Sequence, residues 1–313
     1  MVNIRGALSK ALRSVNSTSA TAKRLEDQVR QLTTANAEVT ALLSTQAKVL
    51  KDLLWEAQQN RKYQEVLRLA ATQVTCDDVQ EFARARQLGL LETVNLIADS
   101  DLSFARFGDG ELREMLRAEY QLRFQPNSPE LMAALRGVLD TPVDNLLLGF
   151  PHVYRDLHWS GVWTDIWNQL RPIVEPIAQF GNSHVSRPLF FQQLGDEGVD
   201  AWRRVWHGKS ICIVTGRGSR FEILPALFSS AKSVRRVDSE PVNAFADVPR
   251  LLESPELGDA DIFLVALGPA GTVLTHGLAA QGRRALDIGH LSDSYLNVFE
   301  GGAWPEAKKA VIK

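Results

Sequence analysis

The chain reads as an α/β protein: a doubly wound, mostly parallel sheet preceded by a long N-terminal coiled-coil helix. Three observations predict this. Unbroken apolar runs, Ile211-Cys212-Ile213-Val214 and Ile262-Phe263-Leu264-Val265-Ala266-Leu267, have the texture of strands covered by helices on both faces. From Leu102 onward such runs alternate with helix-like stretches, the pattern that winds into a parallel sheet. Before that, apolar residues recur at heptad spacing.

The first 21 residues carry Arg5, Lys10 and Arg13 among Ser, Thr and Ala, with no continuous apolar segment of a signal peptide. They read as a flexible basic leader, with peripheral contact to an anionic membrane as the second reading. Residues 22–74 form the coiled-coil segment. Leu25, Val29, Leu32, Asn36, Val39, Leu43, Gln46, Leu50, Leu53 and Ala57 follow an alternating four-three spacing. No Gly or Pro lies between Thr21 and Gln87 to break a helix. Asn36 falls at an a position, where paired asparagines fix a parallel two-stranded register, so a homodimer is expected. The other reading is one amphipathic helix packed on its own domain.

Residues 75–313 form the globular part. Thr75-Cys76-Asp77-Asp78 resembles an N-cap before a further helix. Expected strands are Ser103–Phe107, Asn145–Phe150, Ser210–Thr215, Ser233–Val237, Asp261–Leu267 and Ala285–Ile288. Expected helices are Pro129–Leu139, Arg220–Phe228, Ala244–Leu252 and Thr272–Gln281. With 45% apolar and 23% charged residues in 313, the chain affords a sizeable core. A net charge of -2 offers no global attraction to nucleic acid. There is no apolar run long enough to span a bilayer. Cys76 and Cys212 have no ligand-spaced neighbours and read as reduced thiols of a cytoplasmic protein.

Three segments carry chemistry. The first, Ser103 to Glu111, runs from a strand into a turn in which Gly108 and Gly110 free the backbone around Asp109. Asp109 and Glu111 are hard oxygen ligands suited to Mg²⁺ or Mn²⁺ with substrate phosphates completing the shell. Arg106 adds a fixed positive charge for a diphosphate. The alternative is that both acids serve the start of the next helix.

The second segment, Thr215-Gly216-Arg217-Gly218-Ser219, follows an apolar strand and ends in an expected helix start, where backbone amides can hold an anion. Asp238, twenty-two residues after Gly216, stands where an acid often meets a ribose hydroxyl. Phe221 replaces the third glycine of the dinucleotide fingerprint. The third segment, Leu286-Asp287-Ile288-Gly289-His290, brings His290 just past a strand end, available to bind a phosphate, ligate metal or move a proton. Between the first two lies an aromatic, basic stretch in which Arg187 is a further candidate for a diphosphate. Trp163 and Trp167 there are helix-spaced and read as core.

Together Arg106-Phe107-Gly108-Asp109-Gly110-Glu111, Val214-Thr215-Gly216-Arg217-Gly218-Ser219, Phe263-Leu264-Val265-Ala266-Leu267-Gly268-Pro269 and Leu286-Asp287-Ile288-Gly289-His290 resemble the GT-D family of glycosyltransferases, over about residues 90 to 300. The resemblance implies a Rossmann-like domain that uses a UDP-sugar donor and a D-x-E motif, here Asp109-Gly110-Glu111, for a divalent metal. It implies transfer to a glycan or glycoconjugate acceptor. In that scheme Arg106 and Arg187 offset charge on the UDP leaving group, and His290 orients the diphosphate or works near the acceptor hydroxyl. The competing readings are an NAD- or S-adenosylmethionine-dependent enzyme built on Gly216, Gly218 and Asp238, and a dimeric scaffold whose transferase domain is inactive.

Overall fold

The computed structural model describes residues 4–154 and 156–307. The chain divides into two compact units, Met1–Arg68 and Leu69–Lys313. The described part of the first unit is entirely helical. It belongs to α1, Ile4–Arg84, so residues 4–21 of the expected leader are helix as well. Its seam side chains are bare: Leu25 is 56% exposed, Leu32 70% and Leu50 60%. The cap expected at Thr75–Asp78 does not form, because with no Gly or Pro in reach α1 continues to Arg84. In the second unit its last turns bury Val79, Phe82 and Ala83.

α2, Leu90–Ala98, follows and starts with the Gly89 amide donating to Glu92 Oε2 at 2.8 Å. The other elements are β1 (Ser103–Arg106), α3 (Asp109–Leu116), α4 (Pro129–Asp140), β2 (Leu146–Phe150), α5 (Leu157–Val174) and β3 (Gly181–Asn182). They continue with α6 (Pro188–Val205), β4 (Ser210–Gly216), α7 (Pro225–Phe228), β5 (Ser233–Ser239), α8 (Val248–Glu253), β6 (Ile262–Ala266), α9 (Pro269–Ala280), β7 (Ala285–Asp287) and α10 (Leu291–Phe299). The six expected strands are present within two residues at each end. β3 is too short for any pattern to reveal. The helix expected over Arg220–Phe228 shrinks to Pro225–Phe228, and Ala244–Leu252 divides into a 3₁₀ turn and α8.

All seven strands pair in parallel in the order β3-β2-β1-β7-β6-β4-β5. Alternation along each strand sends side chains to two helical layers. Ile211, Ile213, Ile262, Leu264 and Leu286 meet α2, α6, α7 and α10 on one face. Cys212, Val214, Phe263 and Val265 meet α8 and α9 on the other. The chain winds outward from β1 to β3, crosses to β4 and β5, and returns through β6 to β7. The first and last strands are thereby neighbours, and all carboxyl ends share one rim. That rim is where open parallel sheets present ligands.

Candidate active site

β1 delivers Arg106 to the rim beside the end of β7, and the arginine is consumed by structure. Its Nε donates to the Asp287 carbonyl at 2.8 Å, Nη2 to Asp287 Oδ1 at 2.9 Å, and Nη1 to the Ser183 carbonyl at 3.0 Å. Arg106 thus ties the ends of β1 and β7 to the turn after β3, and does not stand free for a diphosphate as its sequence position suggested. Burial pushes the Asp287 carboxyl up, while Arg106 opposes that shift. Gly289 makes the clamp possible. It has φ +43°, and a Cβ there would collide with Arg106 Nη2.

The turn after β1 starts α3 with Gly108 as N-cap. Glu111, in the first turn, folds back so that its Oε2 accepts the Gly108 N–H at 2.8 Å. A Cβ on residue 108 would lie 2.8 Å from that oxygen, so a larger residue there would make the Glu111 carboxylate shift. Burial, with the Asp287 charge added, raises the Glu111 carboxyl to about 7. Asp109 points elsewhere: its Oδ2 lies 3.1 Å from Nε2 of His158, at the start of α5. Residues two apart on a helix do not share a face, which explains the divergence.

Arg187, N-cap of α6, stands near Asp109, Glu111, Tyr154 and Arg106, whose charges all act on it. Burial and Arg106 lower its guanidinium to about 10. It is paired with Glu306 in the turn that ends the described chain. In the same turn the Pro305 carbonyl accepts from Arg220 Nη2 at 2.6 Å. His290 N-caps α10, with Nδ1 3.8 Å from Asp293 Oδ2. Burial lowers its imidazole, Asp293 opposes the shift, and Arg187 and Arg106 reinforce it. Asp109 and Glu111, Arg187, and His290, drawn from three separate stretches, therefore gather around the ends of β1, β3 and β7.

Sequence reasoning missed a cluster beside them. His184 Nδ1 accepts the His152 N–H at 3.0 Å, and Asn182 Oδ1 accepts the His184 N–H at 3.0 Å. The Asn182 Nδ2 lies 3.1 Å from His152 Nδ1. Tyr154 and Trp159 ring the His184 imidazole. Burial holds both histidines below their ordinary range, His184 well below, and raises Tyr154 to about 12. His152 and Tyr154 directly follow β2, so their place just past an expected strand was the available signal.

The second segment contributes differently from expectation. Gly218 makes a tight turn at φ +68°, with the Arg217 N–H donating to the Ser239 carbonyl at 2.8 Å. No helix starts there; α7 begins only at Pro225 and has four residues. Arg217 pairs with Glu240 at 3.1 Å, and Asp238 with Arg236 at 2.9 Å, both at the exposed β5 side of the rim. Gly216, Arg217, Gly218 and Asp238 share the rim with the first site, but β6 and β7 lie between β4 and β1.

Among the described residues, no three His, Cys, Asp or Glu side chains converge as a metal cage. Glu111 is turned to its own helix. A Mg²⁺ or Mn²⁺ carried largely by substrate phosphates needs only one or two protein ligands. Asp109, 38% exposed in its side chain, fits that smaller demand, and the His158 imidazole beside it is a second donor better suited to Mn²⁺ than to Mg²⁺.

Residues 104–309 match the family described as Glycosyltransferase GT-D fold. The chain is 26% identical over 220 residues to Glycosyltransferase GlyD of Streptococcus pneumoniae serotype 4, covering 66% of this chain and 27% of that protein. It is 28% identical over 228 residues to the Probable glycosyl transferase Gly of Streptococcus gordonii, covering 67% and 33%. The chain thus spans about a third or less of these relatives' length. Among solved structures it is similar to a domain of unknown function 1792 described as having a distinct glycosyltransferase fold. The TM-score is 0.64 at 25% identity, covering 74% of this chain and 87% of the other. A new glycosyltransferase from Streptococcus sanguinis gives TM-score 0.60 at 25% identity, covering 69% and 85%.

Proposed function

Because the chain belongs to the GT-D glycosyltransferase family, we propose that its α/β unit transfers a sugar from a UDP-sugar to a hydroxyl of a glycan or glycoconjugate acceptor. The observation that carries this reading is the convergence of Asp109, Arg187 and His290 at one end of a fully parallel sheet. An acidic group, a cationic group and an imidazole at one rim are what a leaving diphosphate and an attacking hydroxyl require.

Asp109, with His158, would hold a divalent cation. When bound, that cation offsets charge on the departing diphosphate. Arg187 supplies a second positive charge to the same phosphates, releasing Glu306 as it does so. His290, whose imidazole pKa is lowered by burial and by Arg187 and Arg106 against the opposing Asp293, takes the proton of the attacking hydroxyl. The acceptor oxygen then bonds to the anomeric carbon as the bond from that carbon to the diphosphate oxygen breaks. Arg106 and Glu111 hold the frame. β1 and β4 are three strand spacings apart, roughly 14 Å, so an extended sugar nucleotide can reach from the Asp109 end of the rim to the Gly216–Gly218 turn.

The reading as an NAD- or S-adenosylmethionine-dependent enzyme loses its helix start after Gly218 and leaves the Asp109 cluster without a task. A panel of UDP-sugars assayed for UDP release, with and without EDTA, tests the proposal. Release that is lost in EDTA and in Asp109→Ala supports it. No release from any donor, together with unchanged cellular function of Asp109→Ala, supports the inactive scaffold.

A further inference from the structure

We propose that α1 binds a second copy of this chain along its apolar seam, as a parallel, in-register two-stranded coiled coil running from about Leu8 to Leu67. The proposal is independent of the enzymatic reading. Between those residues, ten of the seventeen exposed large apolar side chains occupy a or d positions, continuing the heptad frame set by Leu25 at d. Five more flank the seam at e or g, and only Trp55 and Val66 lie outside it. The seam therefore extends beyond the segment expected from sequence, through Leu8 and Val15, which are 61% and 65% exposed. An apolar stripe of this length on a lone helix is far larger than the patches a stable monomer leaves in water.

Three features select the occupant. A coiled-coil stripe is self-complementary, so an identical helix presents matching knobs and holes. Val15 and Val29 at a with Leu25 and Leu32 at d is the side-chain choice that favours two parallel strands. Asn36 at an a position meets its own counterpart only when the strands are parallel and in register. Charge agrees with that register: Glu56 at g faces Arg61 at e of the partner helix, twice per dimer by symmetry. Neither side chain forms an ion pair within the chain among the described residues.

Sedimentation of the full chain at micromolar concentration should give twice the 34.7 kDa of one chain. Leu32→Cys should cross-link to its own counterpart under mild oxidation. Leu43→Asp with Leu50→Asp should yield the monomer, while tryptophan fluorescence shows the second unit melting as before. Glu56→Arg and Arg61→Glu should each weaken dimerisation by about three- to tenfold, and the double variant should restore it. A wild-type monomer, a trimer or larger assembly, or the absence of a Leu32→Cys cross-link would overturn the proposal.

Discussion

His158 Nε2 lies 3.1 Å from Asp109 Oδ2, joining the start of α5 to the start of α3 across a gap of 49 residues in sequence. This pair, more than Asp109 with Glu111, is the arrangement from which a cation-assisted transfer is argued. Two donor atoms at that separation suit adjacent positions around one octahedral ion.

Arg187 and Glu306 should show opposite effects on the donor. Arg187→Gln removes a half-buried cation facing the proposed diphosphate and should weaken UDP binding tenfold or more. Glu306→Gln removes the carboxylate that competes for Arg187 and should tighten binding a few-fold. Titration calorimetry with UDP and Mn²⁺ reads both.

His290 should set the acid limb of the pH–rate profile. It must be neutral to take a proton, and its pKa is lowered in the folded protein. Activity should therefore rise with pH below the usual histidine range near 6.5 and be level by neutrality. His290→Gln should remove that limb and lower kcat more than KM.

Gly289→Ala should destabilise the rim by disturbing the Arg106 clamp next to His290. The new Cβ meets Arg106 Nη2 at a backbone angle of φ +43°. A loss of about 2–4 kcal/mol is expected, read as a lower urea midpoint by tryptophan fluorescence. Arg106→Lys should behave alike, since lysine cannot bridge two carbonyls and a carboxylate in one plane.

Glu114 supplies a pH signature of stability. It is fully buried, accepts the Leu122 N–H through Oε1 at 3.2 Å, and leaves Oε2 without a partner. Burial raises its carboxyl from 4.5 to about 8. Below about pH 4.5 it is protonated folded or unfolded, and its contribution to stability is intact. As pH rises toward 8 the unfolded chain releases the proton more readily, so that contribution is lost. Glu114→Gln keeps the acceptor for Leu122 and should stabilise the second unit at pH 8.5, on the order of 2 kcal/mol, with little change at pH 4.5.

Much of this architecture was legible in the sequence because β4 and β6 are buried on both faces and read as unbroken apolar runs. The same logic located Asp109 and His290 at strand ends. It could not distinguish a working charge from a structural one: Arg106 and Asp287 are 181 residues apart, and only the return of β7 to the side of β1 pairs them. β3 has two residues and no periodicity. The helix expected after Gly218 fails because its residues bond elsewhere: Ser219 Oγ accepts the Phe221 N–H at 3.2 Å, and the Glu222 carbonyl accepts from Ser292 at 2.6 Å. A local N-cap pattern at Thr75 likewise could not outweigh an uninterrupted helical stretch on either side.

The most direct test of the cation and diphosphate site is the thermal shift of the second unit with UDP and Mn²⁺, followed by tryptophan fluorescence. At about a hundredfold excess over Kd, binding should add about 2.7 kcal/mol, a rise of roughly 5–10 °C. The rise should vanish in EDTA and in Asp109→Asn. An equal rise without metal, an equal rise in Asp109→Asn, or stabilisation by NAD or S-adenosylmethionine in place of UDP would contradict the account.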